Sequence, residues 1–79
     1  MKKYKALKGE SGVTHYEITA NSIAVAFNDA VYVYSYNKPG REHVEQMKLL
    51  AEKGRGLSTY ISRYVKKDYD ITYFLKQKP

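Results

Sequence analysis

The sequence predicts an α+β domain: a three-stranded antiparallel meander followed by two helices, β-β-β-α-α, with a short apolar run near the C-terminus that would add a strand. Three observations carry this. Ser22 to Tyr36 alternates with a period of two, as half-buried strands do, Ile23, Val25 and Phe27 against Ala24 and Ala26, then Val31 and Val33 against Tyr32, Tyr34 and Tyr36. After Tyr36 the period becomes helical. Leu57, Tyr60, Ile61, Tyr64 and Val65 then recur at i, i+3, i+4, i+7 and i+8, the clearest amphipathic signal in the chain.

Residues 1–10 hold Lys2, Lys3, Lys5 and Lys8 against Glu10, and read as a basic arm or an edge strand. Gly9 to Gly12 breaks any element there. Val13 to Thr19 is a strand with Val13 and His15 on one face and Thr14, Tyr16 and Ile18 on the other. Asn21-Ser22 turns it into the central hairpin, and three strands joined by short turns make a meander.

The hairpin turns at Asn28-Asp29, residue types that tolerate the left-handed conformation of a tight loop. A two-residue loop sets Val25 opposite Tyr32 and Ile23 opposite Tyr34, and makes the tyrosines core. A loop that takes in Ala30 pairs Phe27 with Val31, and the slip by one sends Tyr32, Tyr34 and Tyr36 to the other face as an aromatic shelf. The shorter loop is preferred, since it needs no glycine bulge.

Asn37 to Gly40 is a loop. The helix after it buries Val44, Met47 and Ala51, with Leu50 at the margin and Leu49 roughly opposite. Glu42 and Glu45 in its first turns and Lys53 in its last suit the helix dipole. Gly54-Arg55-Gly56 ends it, and Ser58 is the expected N-cap of the second helix. At α-helical spacing Arg63, Lys66 and Lys67 share the flank beside the buried stripe and form one basic patch. Ile71 to Leu75 is apolar and reads as a fourth strand, a docked tail or the end of a longer helix. Residues 70–79 as a whole read as a C-terminal tail.

Strand features up to Phe27, then Tyr32-Val33-Tyr34, a helix, a glycine corner at Gly54 to Gly56 and L-S-T-Y-I resemble the KTSC family. This short domain is named after the C-terminal segment of some lysyl-tRNA synthetases, occurs free-standing in bacteria, and has a central Y-x-Y motif. The resemblance covers about residues 11–69. Ser58 stands where the family often has Asn, another N-cap former. Pro39-Gly40 departs from the family's usual Val-Pro after the tyrosines. The resemblance implies a small α+β fold and a conjectured RNA association, without an established activity.

Seventy-nine residues make one domain, and with no cysteine and no Cys/His set it must rely on apolar burial. Cores of this size rarely supply more than about 3–5 kcal/mol, so pairing with another copy through a free sheet edge would help. No apolar run approaches the roughly 20 residues that cross a bilayer, and the N-terminus lacks the apolar segment of a signal peptide, so a cytoplasmic location is expected.

Fourteen basic against eight acidic residues give a net charge of +6, which favours anionic partners or simply a soluble surface. Enzymatic chemistry is not expected. His15 and His43 fall on different elements, and no nucleophile has a recognisable setting. Glu42 with Glu45, and Asp68 with Asp70, read as helix-end acids rather than a metal or acid–base pair, so neither cofactor, metal nor small-molecule substrate is expected. Gly54 to Gly56 is a corner rather than an anion cradle, for it lacks the Lys-Ser/Thr of a nucleotide loop.

The leading functional expectation is sequence-tolerant binding of RNA or single-stranded nucleic acid. Lys48, Lys53, Arg55, Arg63, Lys66 and Lys67 would neutralise phosphates, and any exposed member of Tyr32, Tyr34 and Tyr36 would stack on bases. The alternative is a protein-interaction or homodimerising module, recruiting through a sheet edge or through Leu49 and the Ile71 to Leu75 run.

Overall fold

A computed structural model of the chain describes residues 2–4, 12–27 and 30–74. The fold is α+β, with a five-stranded antiparallel sheet and helices on one face. The strands are β1 (Lys2–Lys3), β2 (His15–Thr19), β3 (Ser22–Ala26), β4 (Ala30–Ser35) and β5 (Ile71–Phe74), in that spatial order. Helix α1 (Arg41–Lys53) and helix α2 (Leu57–Tyr60) follow β4, and α2 runs on into a π-helical turn over Ile61–Val65.

The sheet thus adds to the three-stranded meander both of the strands that the sequence left as alternatives, one at each edge. Lys2–Lys3 pairs with His15 and Tyr16, a two-residue strand too short to show any periodicity. Ile71–Phe74 pairs with Ala30 to Val33, so this run is a strand rather than a tail or helix end. Residues 5–11, Asn28-Asp29 and 75–79 lie outside the described residues.

The hairpin takes the shorter-loop register, with Ile23 opposite Tyr34, Val25 opposite Tyr32, and the Phe27 amide donating to the Ala30 carbonyl at 2.8 Å. Tyr34 is accordingly fully buried and stands with Ile23, Val25 and Tyr16 on the face that the helices cover. Val44, Met47 and Ala51 of α1 and Leu57 close the core from the other side. Tyr4 joins them, its ring edge-on to Tyr16 and its hydroxyl accepting the Leu57 amide at 3.4 Å. Val13 is also buried, although alternation placed it away from Tyr16; it precedes β2, where the strand rule does not yet apply.

Gly54 ends α1 in the left-handed conformation, at φ 77°, and its amide reaches the Ala51 and Leu50 carbonyls. Gly56, at φ 83°, occupies the N-cap of α2, so Ser58 lies inside the helix and does not cap it. Among the described residues no helix is long and apolar enough to cross a membrane.

The Tyr34 hydroxyl donates to the Lys66 carbonyl at 2.8 Å and ties the middle of β4 to the end of the helical segment. Tyr34→Phe is expected to cost about 1 kcal/mol, the net worth of one such bond, and Tyr34→Ala about 3–5 kcal/mol by cavity formation, both read from urea midpoints. Burial, reinforced by Tyr32, Tyr69 and Asp68, holds the Tyr34 phenol well above its ordinary value of 10.0. A raised folded-state value means that the stabilisation is complete below the unfolded-state value and is lost as pH rises beyond it. Stability read from urea midpoints should therefore begin to decline as pH rises above 10.0, and less steeply in Tyr34→Phe, which has no phenol to ionise.

Candidate nucleic-acid interface

The second helical segment sets the candidate surface because it is not α-helical throughout. The Lys66 amide donates to the Ile61 carbonyl at 2.6 Å, an i→i+5 bond. In an α-helix every fourth residue overshoots a full turn by about 40°. A wider turn falls short of one, so the opposed drifts keep Leu57, Ile61 and Val65 in a single buried line. Tyr64, which α-helical spacing would return to within about 20° of Leu57, lags behind and is 60% exposed.

Tyr64 does not stand alone. Its ring lies 4.7 Å from that of Tyr60, tilted by 43°. Tyr60 in turn meets His43 of α1, edge-on at 5.8 Å, and its hydroxyl shares a hydrogen bond of 2.7 Å with His43 Nδ1. Burial, then Tyr64 and Glu42, raise the Tyr60 phenol, so it stays protonated and able to hold that bond near neutral pH. With Leu50, Gly56 and Arg63 these side chains line a shallow depression of about 680 Å³ between the two helical segments. A tilted pair of phenols on an open concave surface, flanked by a guanidinium, can accept a planar ring and an anion side by side.

The residues singled out from sequence fall in different places. Arg63 is exposed and lines this depression, and Lys53 and Arg55 are exposed at the corner between the helices. Lys66 and Lys67 are exposed but follow the helical segment, Lys66 at φ 42°, so helical spacing does not relate them to Arg63. Lys48 is spent on internal contacts, 2.9 Å from Glu45, 3.2 Å from the Ala20 carbonyl and 5.6 Å from the Tyr36 ring centre, with its side chain 13% exposed.

The motif tyrosines are committed to the fold. Tyr34 is core. Tyr32 lies between Phe27 and Tyr69, stacked on the latter at 4.8 Å. Tyr36 donates to Glu45 at 2.5 Å, with Arg41 5.7 Å from its ring centre. Tyr60, Tyr64 and His43 were missing from the sequence-derived set. The four-residue step shared by Leu57, Ile61 and Val65 was the signal that could have separated them from the core stripe.

His15 is exposed on β2, as expected of a sheet-surface residue. The Asp68 and Asp70 carboxylates serve the return to the sheet, Asp70 accepting from Ser35 Oγ at 2.7 Å and Asp68 lying 3.7 Å from Lys38. Among the described residues no three His, Asp or Glu side chains group as metal ligands would. None of the family models, curated proteins or solved structures compared with the chain matches it.

The Tyr36 hydrogen bond, followed by Lys48, holds the Glu45 carboxyl below its ordinary value of 4.5. A depressed value leaves its contribution in force above that point and removes it as pH falls. Tyr36→Phe should move the Glu45 titration upward when followed by carboxyl-carbon NMR, with Lys48 holding part of the depression.

Proposed function

We propose that the protein binds RNA or single-stranded nucleic acid without strict sequence preference, through the surface formed by Tyr60, Tyr64, Arg63 and His43. The observation that carries this is the exposed Tyr64 ring, paired with Tyr60 beside Arg63 in one depression. Aromatic rings accept any base, because every base has a π-face, while cations follow the phosphates. Lys53 and Arg55 at the adjacent corner extend the positive surface, and a net charge of +6 favours encounter. The RNA association implied by the KTSC resemblance points to the same ligand class. In this reading Tyr32, Tyr34 and Tyr36 hold the scaffold and do not touch the ligand.

A fluorescence titration against labelled single-stranded RNA, single-stranded DNA and duplex DNA at two salt concentrations tests the proposal. Tyr64→Ala should weaken single-strand binding by about 1–3 kcal/mol. Arg63→Ala should make the slope of log affinity against log salt shallower by about 0.7 for each phosphate it leaves without a cation. Reversing the charges of Lys66 and Lys67 together, set beside Arg63→Ala, separates contributions of the turn from those of the depression, and the triple reversal with Arg63 should abolish binding. Affinity unchanged by Tyr64→Ala, or a salt-insensitive affinity of the kind that apolar recognition gives, would overturn the reading.

A further inference from the structure

The two edges of the sheet differ in kind. The outer strand β1 is two exposed lysines, a feature that discourages edge pairing. The other edge, β5, is Ile-Thr-Tyr-Phe, without charge or proline, and Ile71, Tyr73 and Phe74 are 47%, 55% and 78% exposed. Its backbone polarity follows from the hairpin register. The Phe27 amide bonds the Ala30 carbonyl, so alternation turns the backbone groups of Ala30 and Tyr32 toward β3 and those of Val31 and Val33 toward β5. Val33 and Val31 do accept from the Asp70 amide and the Thr72 hydroxyl, at 2.8 and 3.1 Å. The register sets Ile71 opposite Val33 and Tyr73 opposite Val31, so within β5, which begins after Asp70, Ile71 and Tyr73 direct their backbone groups to β4 and Thr72 and Phe74 direct theirs outward.

We infer that β5 pairs antiparallel with β5 of a second copy about a two-fold axis at Tyr73. Thr72 of each copy then lies opposite Phe74 of the other, and four backbone hydrogen bonds join the two sheets into one of ten strands. The edge is self-complementary, as a two-fold interface requires, and both strands are already ordered, so pairing costs less entropy than capture of a loose peptide. Charge agrees with a like partner. In the sequence two acids, Asp68 and Asp70, precede the strand and two lysines, Lys76 and Lys78, follow it, an order of charge that an antiparallel pairing of like segments matches. The Tyr73 rings meet across the axis, where aromatic cross-strand pairs contribute most.

Sedimentation equilibrium over a wide concentration range tests this, together with amide exchange at Thr72 and Phe74. The expected result is a dimer in which both amides slow as concentration rises. Tyr73→Lys, which sets like charges face to face at the axis, should weaken it by about tenfold or more, with circular dichroism unchanged. A monomer at all concentrations overturns the inference. So does a dimer indifferent to Tyr73→Lys but broken by Leu49→Lys, which would seat the interface on α1. Amide protection independent of concentration would mean that the chain covers its own edge, and also overturns it. If Tyr73→Lys fails to fold, the wild-type exchange series decides alone.

Discussion

The bond from Tyr34 to the Lys66 carbonyl is the constraint on which the rest of the arrangement depends. A phenol buried at the centre of a sheet needs an acceptor, because an unpaired buried hydroxyl costs more than a good hydrogen bond contributes. Helices leave their last carbonyls without intrahelical donors, so a helix end is the natural place to find one. The chain meets this need by ending the helical segment directly above Tyr34. It then reverses through Lys66, which takes a positive φ that non-glycine residues rarely adopt, and the hydroxyl helps to hold that turn. From there Tyr69 stacks on Tyr32, Asp70 bonds Val33, and β5 is aligned with β4. A register slip of one residue in the hairpin would turn Tyr34 outward and remove every one of these consequences.

The π-helical turn follows from the same demand. The segment from Leu57 to Val65 must bury a line of side chains over a twisted sheet and deliver its last carbonyl to a fixed point. Four-residue spacing does both when one turn is α-helical and the next is wider. The cost is poorer backbone geometry over five residues, and such turns persist mostly where function or packing requires them. Here the by-product is the outward displacement of Tyr64, so that covering the sheet and presenting a tyrosine ring beside Tyr60 are one structural event.

How much of this was legible in the sequence depended on whether a local rule was sufficient. The hairpin was legible but its register only in part, since a period of two fits both loops and the shorter was preferred for needing no glycine bulge. The buried face of α1 was legible too, and Val44, Met47 and Ala51 are where regular α-helical geometry puts them. Lys2–Lys3 was legible only as one of two alternatives, arm or edge strand, because a two-residue strand is defined by its neighbour alone. Ile71–Phe74 became a strand by tertiary contact with β4; its apolar run suits several elements equally. The basic patch and the tyrosine stripe went astray together, since both were projected at 100° per residue through a segment that stops being α-helical at Ile61.

Charge divides the surface in the same way that packing divides the tyrosines. Near the loop after β4, cations are matched locally: Lys38 with Asp68, Lys48 with Glu45 and the Ala20 carbonyl, and Arg41 over the Tyr36 ring. Such contacts contribute little individually to stability at an exposed surface, but a cation that they hold is less available to a phosphate. Between the helical segments Arg63 is exposed, and Lys53 and Arg55 are exposed at the corner beyond it, with Glu42 and Glu52 the exposed acids of α1. Net charge alone therefore says little about where an anion would settle. The deciding feature is the coincidence, in one depression, of the exposed Arg63 with Tyr60 and with Tyr64, which the wide turn sets outside the core.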